Sequence, residues 1–164
     1  MGPQSNVFAR NCSIRRLSKS EAAGFLSDNH FLGACSARFS YGLFVERTTG
    51  NGETLLAPGT LVAVGSFSNG RKFRDGHISY EWIRYASRKD IRVMGGMSKI
   101  LKHFIEEVHP GDVMTYVDSS RSDGAAYIEL GFKDEGLVNK ENFTNRKLRL
   151  TVQYAIPVQK GPDL

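Results

Sequence analysis

The densest run of chemistry-bearing residues in the chain is Arg92-Val93-Met94-Gly95-Gly96-Met97-Ser98-Lys99, a diglycine between a strand-like segment and the start of a helix. Glycines let a backbone approach an anion closely, and the unpaired amides of a helix start face that anion with the positive end of the dipole. The chemistry this permits is phosphate binding; the alternative is an ordinary tight turn. The helix that follows carries Lys99 and Lys102 early and Glu106 and Glu107 late. This order runs against the macrodipole, by about 0.3–1 kcal/mol per charge. An anionic ligand beside Gly95 and Gly96 accounts for it, and so does a solvated face that pairs Lys99 with His103 and Lys102 with Glu106.

Three further residues have acid–base chemistry. Asp118 ends an apolar run, Val113 to Val117, at the carboxyl edge where ligands bind in open sheets. It is the best general-base candidate, unless its carboxylate caps the following turn. Tyr127, with a phenol of ordinary pKa near 10, gives up its proton readily only to a basic leaving group; it could equally belong to the core. His30 follows a helix in a polar stretch and either caps that helix or acts as a base. Trp82, Phe73 and Phe67, interleaved with Arg71, Lys72, Arg74 and Arg84, form either a stacking and phosphate surface or part of the core. No metal site is expected: the four histidines lack HExxH spacing and the two cysteines lie far apart. Neither a serine nucleophile elbow nor a Walker pattern is present.

The elements that position these residues follow from periodicity. Cys12 to Leu17 reads as a strand, and Ser18-Lys19-Ser20-Glu21 has capping-box spacing that opens a helix to about Asn29. Phe39, Tyr41, Leu43 and Val45 alternate as a strand, Thr49-Gly50-Asn51-Gly52 is turn chemistry, and Leu61 to Phe67 is the next strand. Tyr80 to Ala86 and Ile91 to Met94 are strand-like. Met97, Ile100, Leu101, Phe104, Ile105 and Val108 then make one apolar stripe at helical spacing, ended by Pro110-Gly111. Val113 to Val117 is a strand, Ala125 to Leu130 a short helix, and Leu148, Leu150, Val152 and Tyr154 alternate as a final strand. A strand, helix and strand across 80–118 demand a crossover and hence a parallel pair. The fold class is α+β: a mixed, mostly antiparallel sheet with a central parallel strand pair, flanked by helices.

A length of 164 residues argues for one domain, with about 1–11 and 157–164 expected to be flexible tails. Hydrophobic residues at 40% exclude disordered, collagen-like and coiled-coil classes. The longest uncharged apolar stretch, 55–67, is broken by Pro58 and Gly59 and falls short of the roughly 20 residues of a membrane helix, so a soluble chain without a membrane partner is expected. The N-terminus lacks a signal-peptide core, and Asn6 stands where a myristoylation motif has Ser or Thr. Two cysteines are too few for a disulfide framework, which makes an intracellular, cytoplasmic location the default. The net charge is +5 and uneven: Arg71 to Lys102 holds nine basic against three acidic residues, and His103 to Glu141 three against nine. The first stretch is a candidate basic face for nucleic acid.

Arg92-x-x-Gly95-Gly96, the helix and strand after it, and Ala126-Tyr127-Ile128-Glu129-Leu130-Gly131-Phe132 together resemble the GNAT superfamily of acyl-CoA-dependent N-acyltransferases, over about residues 61–133. The resemblance implies acetyl-CoA or a related acyl-CoA as cofactor. It makes Arg92, Val93, Met94, Gly95, Gly96, Ser98 and Lys99 cofactor-binding residues and Tyr127 the acid that protonates the leaving thiolate. Met97 occupies a position where Gly or Ala is usual. Within that superfamily, Asn29-His30-Phe31-Leu32-Gly33 before Tyr41-Gly42-Leu43, Glu81-Trp82-Ile83-Arg84, and Tyr116-Val117-Asp118 with Gly124 and Tyr127 are similar to the phage Mom-like DNA-modification proteins. They are also similar to the GNAT-like domain attached to some homing endonucleases. By motif position His30, Arg84, Ser98, Asp118 and Tyr127 are then the catalytic set, although the His usual between the last two is absent. The implied activity is transfer of an acyl-type group to an amine, with a nucleic-acid base or nucleic-acid-associated acceptor. A catalytically inactive nucleic-acid-binding GNAT fold and an ordinary small-molecule or protein N-acetyltransferase are the alternatives.

Overall fold

The computed structural model describes residues 5–49, 55–140 and 143–152. The chain folds as two compact units, Met1–Asn69 with Glu81–Val108, and Gly70–Tyr80 with His109–Leu164. Its class is the α+β one expected, with mostly antiparallel strand pairing and, among the described residues, three α-helices.

In the first unit, strands β1 (Ser5–Phe8) and β2 (Cys12–Arg16) are joined by a 3-10 turn, Ala9–Asn11. Helix α1 (Lys19–Asn29) opens with the anticipated capping box: the Ser18 hydroxyl accepts from the Glu21 amide, and the Glu21 carboxylate accepts from the Ser18 amide. Strands β3 (Phe39–Val45) and β4 (Leu61–Phe67) extend β2 into an antiparallel ladder, Cys12 opposite Val45 and Phe39 opposite Phe67. The Glu81–Ser87 part of a long strand, β6 (Ile78–Ser87), continues it, with Ala63 opposite Ser87. Strand β7 (Ile91–Met94) leads into α2 (Gly96–Val108). Ser5–Phe8, within the stretch expected to be a tail, pairs in parallel with Ile91–Met94.

The two helices of this unit use opposite faces of the ladder. Leu17, Ala22 and Leu26 pack on Val64 and Ala86 on one side. On the other, Phe104 stacks on Phe67 with ring centroids 3.9 Å apart, Tyr41 meets Phe104 edge-on, and Ile100 lies over Gly65. The apolar stripe of α2 is therefore its buried face, with Ile100 and Phe104 fully enclosed. Trp82 and Phe67 are both 0% exposed and stacked on one another. They belong to the core and cannot form a stacking surface for nucleic acid.

In the second unit, β8 (Asp112–Asp118), β10 (Phe143–Thr151) and β9 (Lys133–Lys140) form an antiparallel ladder in that spatial order. Helix α3 (Ala125–Glu129) follows β8. Arg71–Lys72, strand β5, pairs with Ser79 and Ile78 as a short hairpin. Tyr154, expected in the final strand, and Gly50 to Gly52 of the expected turn lie outside the described residues. Thr49 and Leu56, flanking that turn, form an antiparallel bridge.

Candidate functional site

The two glycines of the β7–α2 turn are glycines for different reasons. Gly95 has φ +79°, the left-handed region that costs a residue with a Cβ roughly 1–2 kcal/mol. Room is not its constraint, since a Cβ there would meet only the Ala9 Cβ, at 3.8 Å. Gly96 is limited by room: a Cβ would run into the Tyr85 hydroxyl and sit 3.0 Å from Val93 Cγ1. The Lys99 amide donates to the Gly95 carbonyl at 3.0 Å, so the amides of Gly96, Met97 and Ser98 have no acceptor within the helix. Gly95, Ser98 and Arg92 are exposed. No acidic residue stands in the first turn of α2, and Arg92 makes no ion pair among the described residues. Open amides, a hydroxyl, an unpaired guanidinium and no carboxylate are the donor set a phosphate or pyrophosphate requires.

Lys99 does a different job from the one its position implied. Its ammonium donates to the carbonyls of Ala9 at 2.9 Å and Cys12 at 2.5 Å. The lysine in the early helix is thereby explained without a ligand: it pins the 3-10 turn to α2. The expected Lys99–His103 pair is replaced by His103 against Glu107 at 3.6 Å, and Glu107 also accepts from the Tyr41 hydroxyl at 2.6 Å.

Arg84 is tied to the loop that begins at His30. His30 is the C-cap of α1, its amide donating to the Leu26 carbonyl, and its Nδ1 accepts from the Leu32 amide at 3.0 Å. That bond leaves the neutral ring's proton on Nε2. Arg84 Nε donates to the Gly33 carbonyl at 3.1 Å, closing the loop that His30 begins. Strand alternation puts Arg84 and Tyr85 on opposite faces. Tyr85 meets Gly96 on the α2 side, so the Arg84 loop lies on the α1 side, not beside the diglycine.

In the second unit, the Asp118 carboxylate accepts from the Ser120 amide at 3.0 Å and the Ser120 hydroxyl at 2.7 Å. These two bonds hold its carboxyl below the usual carboxylate range. Asp118 thus caps the turn after β8, the alternative its position left open. Tyr127 turns its ring edge-on to Phe132 at 5.5 Å and bonds through its hydroxyl to Thr115. Burial pushes its phenol up to about 12, against the smaller opposing effect of Thr115. Both residues have structural partners.

The nine basic residues of Arg71 to Lys102 do not act as one group. Arg71, Lys72 and Arg74 sit exposed in the hairpin of the second unit, with Arg71 over the Phe73 ring. In the first unit Arg88 is paired with Asp90 at 3.0 Å, and Arg84 and Lys99 are committed to carbonyls. The residue that sequence reasoning missed at the diglycine is Tyr85, whose period-two position opposite Arg84 was the available signal. The described residues include no cluster of three or more metal-ligating side chains, and no described helix is long and apolar enough to cross a membrane.

No protein-family model matches the sequence, and no curated protein matches it. Solved structures do. The chain is similar to Arabidopsis thaliana Naa50 in complex with the bisubstrate analogue CoA-Ac-MVNAL, at TM-score 0.62 and 10% identity over 87% of this chain and 99% of that one. It is similar to the ribosomal-protein-S18-alanine N-acetyltransferase of Escherichia coli, at TM-score 0.58 and 15% identity over 93% and 98%. A third likeness is to the SpeG spermidine N-acetyltransferase of Vibrio cholerae, at TM-score 0.61 and 9% identity over 87% and 94%. At these identities the likeness is one of fold, and the fold is that of the GNAT acetyltransferases.

Proposed function

We propose that the chain is a GNAT-fold N-acyltransferase that moves an acyl group from acetyl-CoA or a related acyl-CoA to an amine. The observation that carries this reading is the α2 start, where a left-handed Gly95 and three helix amides without internal acceptors stand beside an unpaired Arg92 and no acid. The amides of Gly96, Met97 and Ser98, the Ser98 hydroxyl and the Arg92 guanidinium would hold the pyrophosphate, with Val93 and Met94 leading the backbone into it. Lys99 supports that turn from behind through the Ala9 and Cys12 carbonyls. Bound acyl-CoA supplies an activated thioester.

The attacking amine must lose a proton and the leaving thiolate must gain one. By motif position Asp118 accepts the first and Tyr127 gives the second. His30 and Arg84, in the loop on the α1 side, take no step in this scheme. For the acceptor we propose a nucleic-acid base or a nucleic-acid-associated amine, as in the Mom-like proteins. Its support is the net charge of +5 and the exposed Arg71, Lys72, Phe73 and Arg74 of the hairpin.

A second reading, a GNAT fold that binds without turnover, draws on one observation: Asp118 and Tyr127 are both tied down. A phenol that burial pushes up to about 12 is a reluctant proton donor to a thiolate of ordinary pKa near 8.5. The test is calorimetry with coenzyme A, followed by turnover of acetyl-CoA with spermidine, a short peptide and a single-stranded oligonucleotide as acceptors. Binding with turnover supports the transferase, binding without turnover selects the second reading, and no binding defeats the cofactor assignment.

A further inference from the structure

Five arginines have a carboxylate partner among the described residues: Arg15 has Glu21, Arg16 has Glu107, Arg88 has Asp90, Arg146 has Asp134, and Arg149 has Asp112 and Glu135. Arg38 does not. Among the described residues neither Arg38 nor Lys19 makes an ion pair, and both line one cavity of about 320 Å³ in the first unit, with Ser36, Ala37, Ser68 and Asn69. Two unpaired cations, two hydroxyls and an amide surround a space that no carboxylate lines. Two nearby acids are engaged elsewhere, Glu21 with Arg15 and Glu107 with Arg16.

The frame around the cavity is fixed by hydrogen bonds to backbone groups, and the Arg38 guanidinium lies over the Phe39 ring, 5.6 Å from its centroid. The Arg38 amide donates to the Phe67 carbonyl at 2.9 Å, and the Arg38 carbonyl accepts from Arg16 Nη2 at 3.2 Å. The Ser68 hydroxyl donates to the Asn69 carbonyl at 2.8 Å. Lys19 is held in the first turn of α1 by the capping box. Arg16 in turn reaches Glu107 in the last turn of α2. The cavity therefore belongs to the end of the unit where α2 finishes, and the 13-residue helix separates it from the Gly95–Gly96 turn by about 20 Å.

We propose that this cavity is a phosphate-binding site, separate from the α2 start and independent of the coenzyme A reading. Its volume is at the small end of ligand sites, which run roughly 300–1,000 Å³, and suits one phosphate with an attached sugar or base. The phosphate can belong to a free phosphomonoester or to one link of a nucleic-acid strand. In both cases Lys19 and Arg38 supply the charge and Ser36 and Asn69 the neutral donors.

The experiment is a titration of the full chain, followed by amide ¹H–¹⁵N spectra, with inorganic phosphate, with adenosine monophosphate and with a single-stranded octathymidylate. The site predicts shifts at Lys19, Ser36, Arg38 and Asn69 with at least one probe, and a loss of affinity of at least tenfold in the Lys19→Met/Arg38→Met variant. That variant removes two exposed charges and one contact of Arg38 with the Phe39 ring, over which the methionine side chain can still pack, so its thermal midpoint should stay within a few degrees of the wild type. Response to phosphate and the monophosphate alone assigns a free ligand, and response to the octamer alone assigns a nucleic-acid strand. Coenzyme A affinity should be unaltered in the variant, so failure here is distinguishable from failure of the α2 site. No shift with any probe, or equal binding by the variant, overturns the proposal.

Discussion

Replacing Gly96 with alanine puts a Cβ into the Tyr85 hydroxyl and 3.0 Å from Val93 Cγ1. Val93 is β-branched and held on a paired strand, so it cannot turn aside at low cost. The relief must come from the turn rising off β6 or from Tyr85 leaving its rotamer. Overpacking of this kind costs about 1–3 kcal/mol. In a chain of this size that lowers the thermal midpoint by roughly 2–4 °C per kcal/mol. Tyr85→Phe removes the nearest atom of the clash, so Gly96→Ala made on that background should recover at least about 1 kcal/mol, a coupling between touching residues that a double-mutant cycle resolves. The assay is denaturant unfolding of the wild type, both single variants and the double variant, with coenzyme A affinity measured on each. A Gly96→Ala protein of wild-type stability, or additive effects in the double variant, would refute the claim that the Tyr85 hydroxyl sets the height of the α2 start.

Lys99→Met removes both bonds to the Ala9 and Cys12 carbonyls and should destabilise by about 1–3 kcal/mol, with faster hydrogen exchange across Ala9–Asn11; unchanged exchange would contradict the pinning role. The His77 ring lies between Asp75 and the buried Asp112, the second at 2.9 Å, and these carboxylates raise its pKa above the ordinary 6.5, Asp75 most. Its contribution to stability is accordingly complete below about pH 6.5 and lost as pH rises through the folded value, so His77→Gln should flatten the stability profile above that pH. Tyr127→Phe and Asp118→Asn should each slow turnover by about 10²–10⁴-fold if these groups move protons, with cofactor binding nearly intact; unchanged rates would leave them as packing and cap. Oligonucleotide affinity, if carried by Arg71, Lys72 and Arg74, should fall with salt at a slope of about −0.7 per neutralised phosphate of a single strand, and a salt-independent affinity would remove the hairpin from the interface.

Where one physical signal governed an element, the sequence was sufficient to read it. The capping box at Ser18 and Glu21 is local chemistry and forms as its spacing predicts. The stripe from Met97 to Val108 is a burial pattern, and its inner members are the enclosed ones. Strand β9 was not legible because Lys133–Lys140 buries none of its residues, so no alternation marked it. Nor was β1: four residues gain strand form only by pairing with β7, more than 80 positions away, and nothing local encodes that.

The site divides the same way. A diglycine before a helix announces a left-handed turn and open amides, both local properties, and Gly95 has them. The roles of Lys99, Asp118 and Tyr127 depend on which carbonyl or hydroxyl folding delivers to them, and in each case it delivered a partner: Ala9 and Cys12, Ser120, and Thr115. Such partners leave no trace in residue spacing. Tyr85 shows the converse, since its side of the strand follows from alternation with Arg84, but its contact with Gly96 needs the helix to be in place.

The central claim is that the α2 start holds the pyrophosphate of coenzyme A, and native mass spectrometry of the purified chain with added coenzyme A tests it most directly. A one-to-one complex is expected for the wild type and for the Lys19→Met/Arg38→Met variant, and its loss is expected for Gly95→Val, where a β-branched residue cannot adopt φ +79° without moving the amides. No complex with the wild type, or equal binding by Gly95→Val, would contradict it.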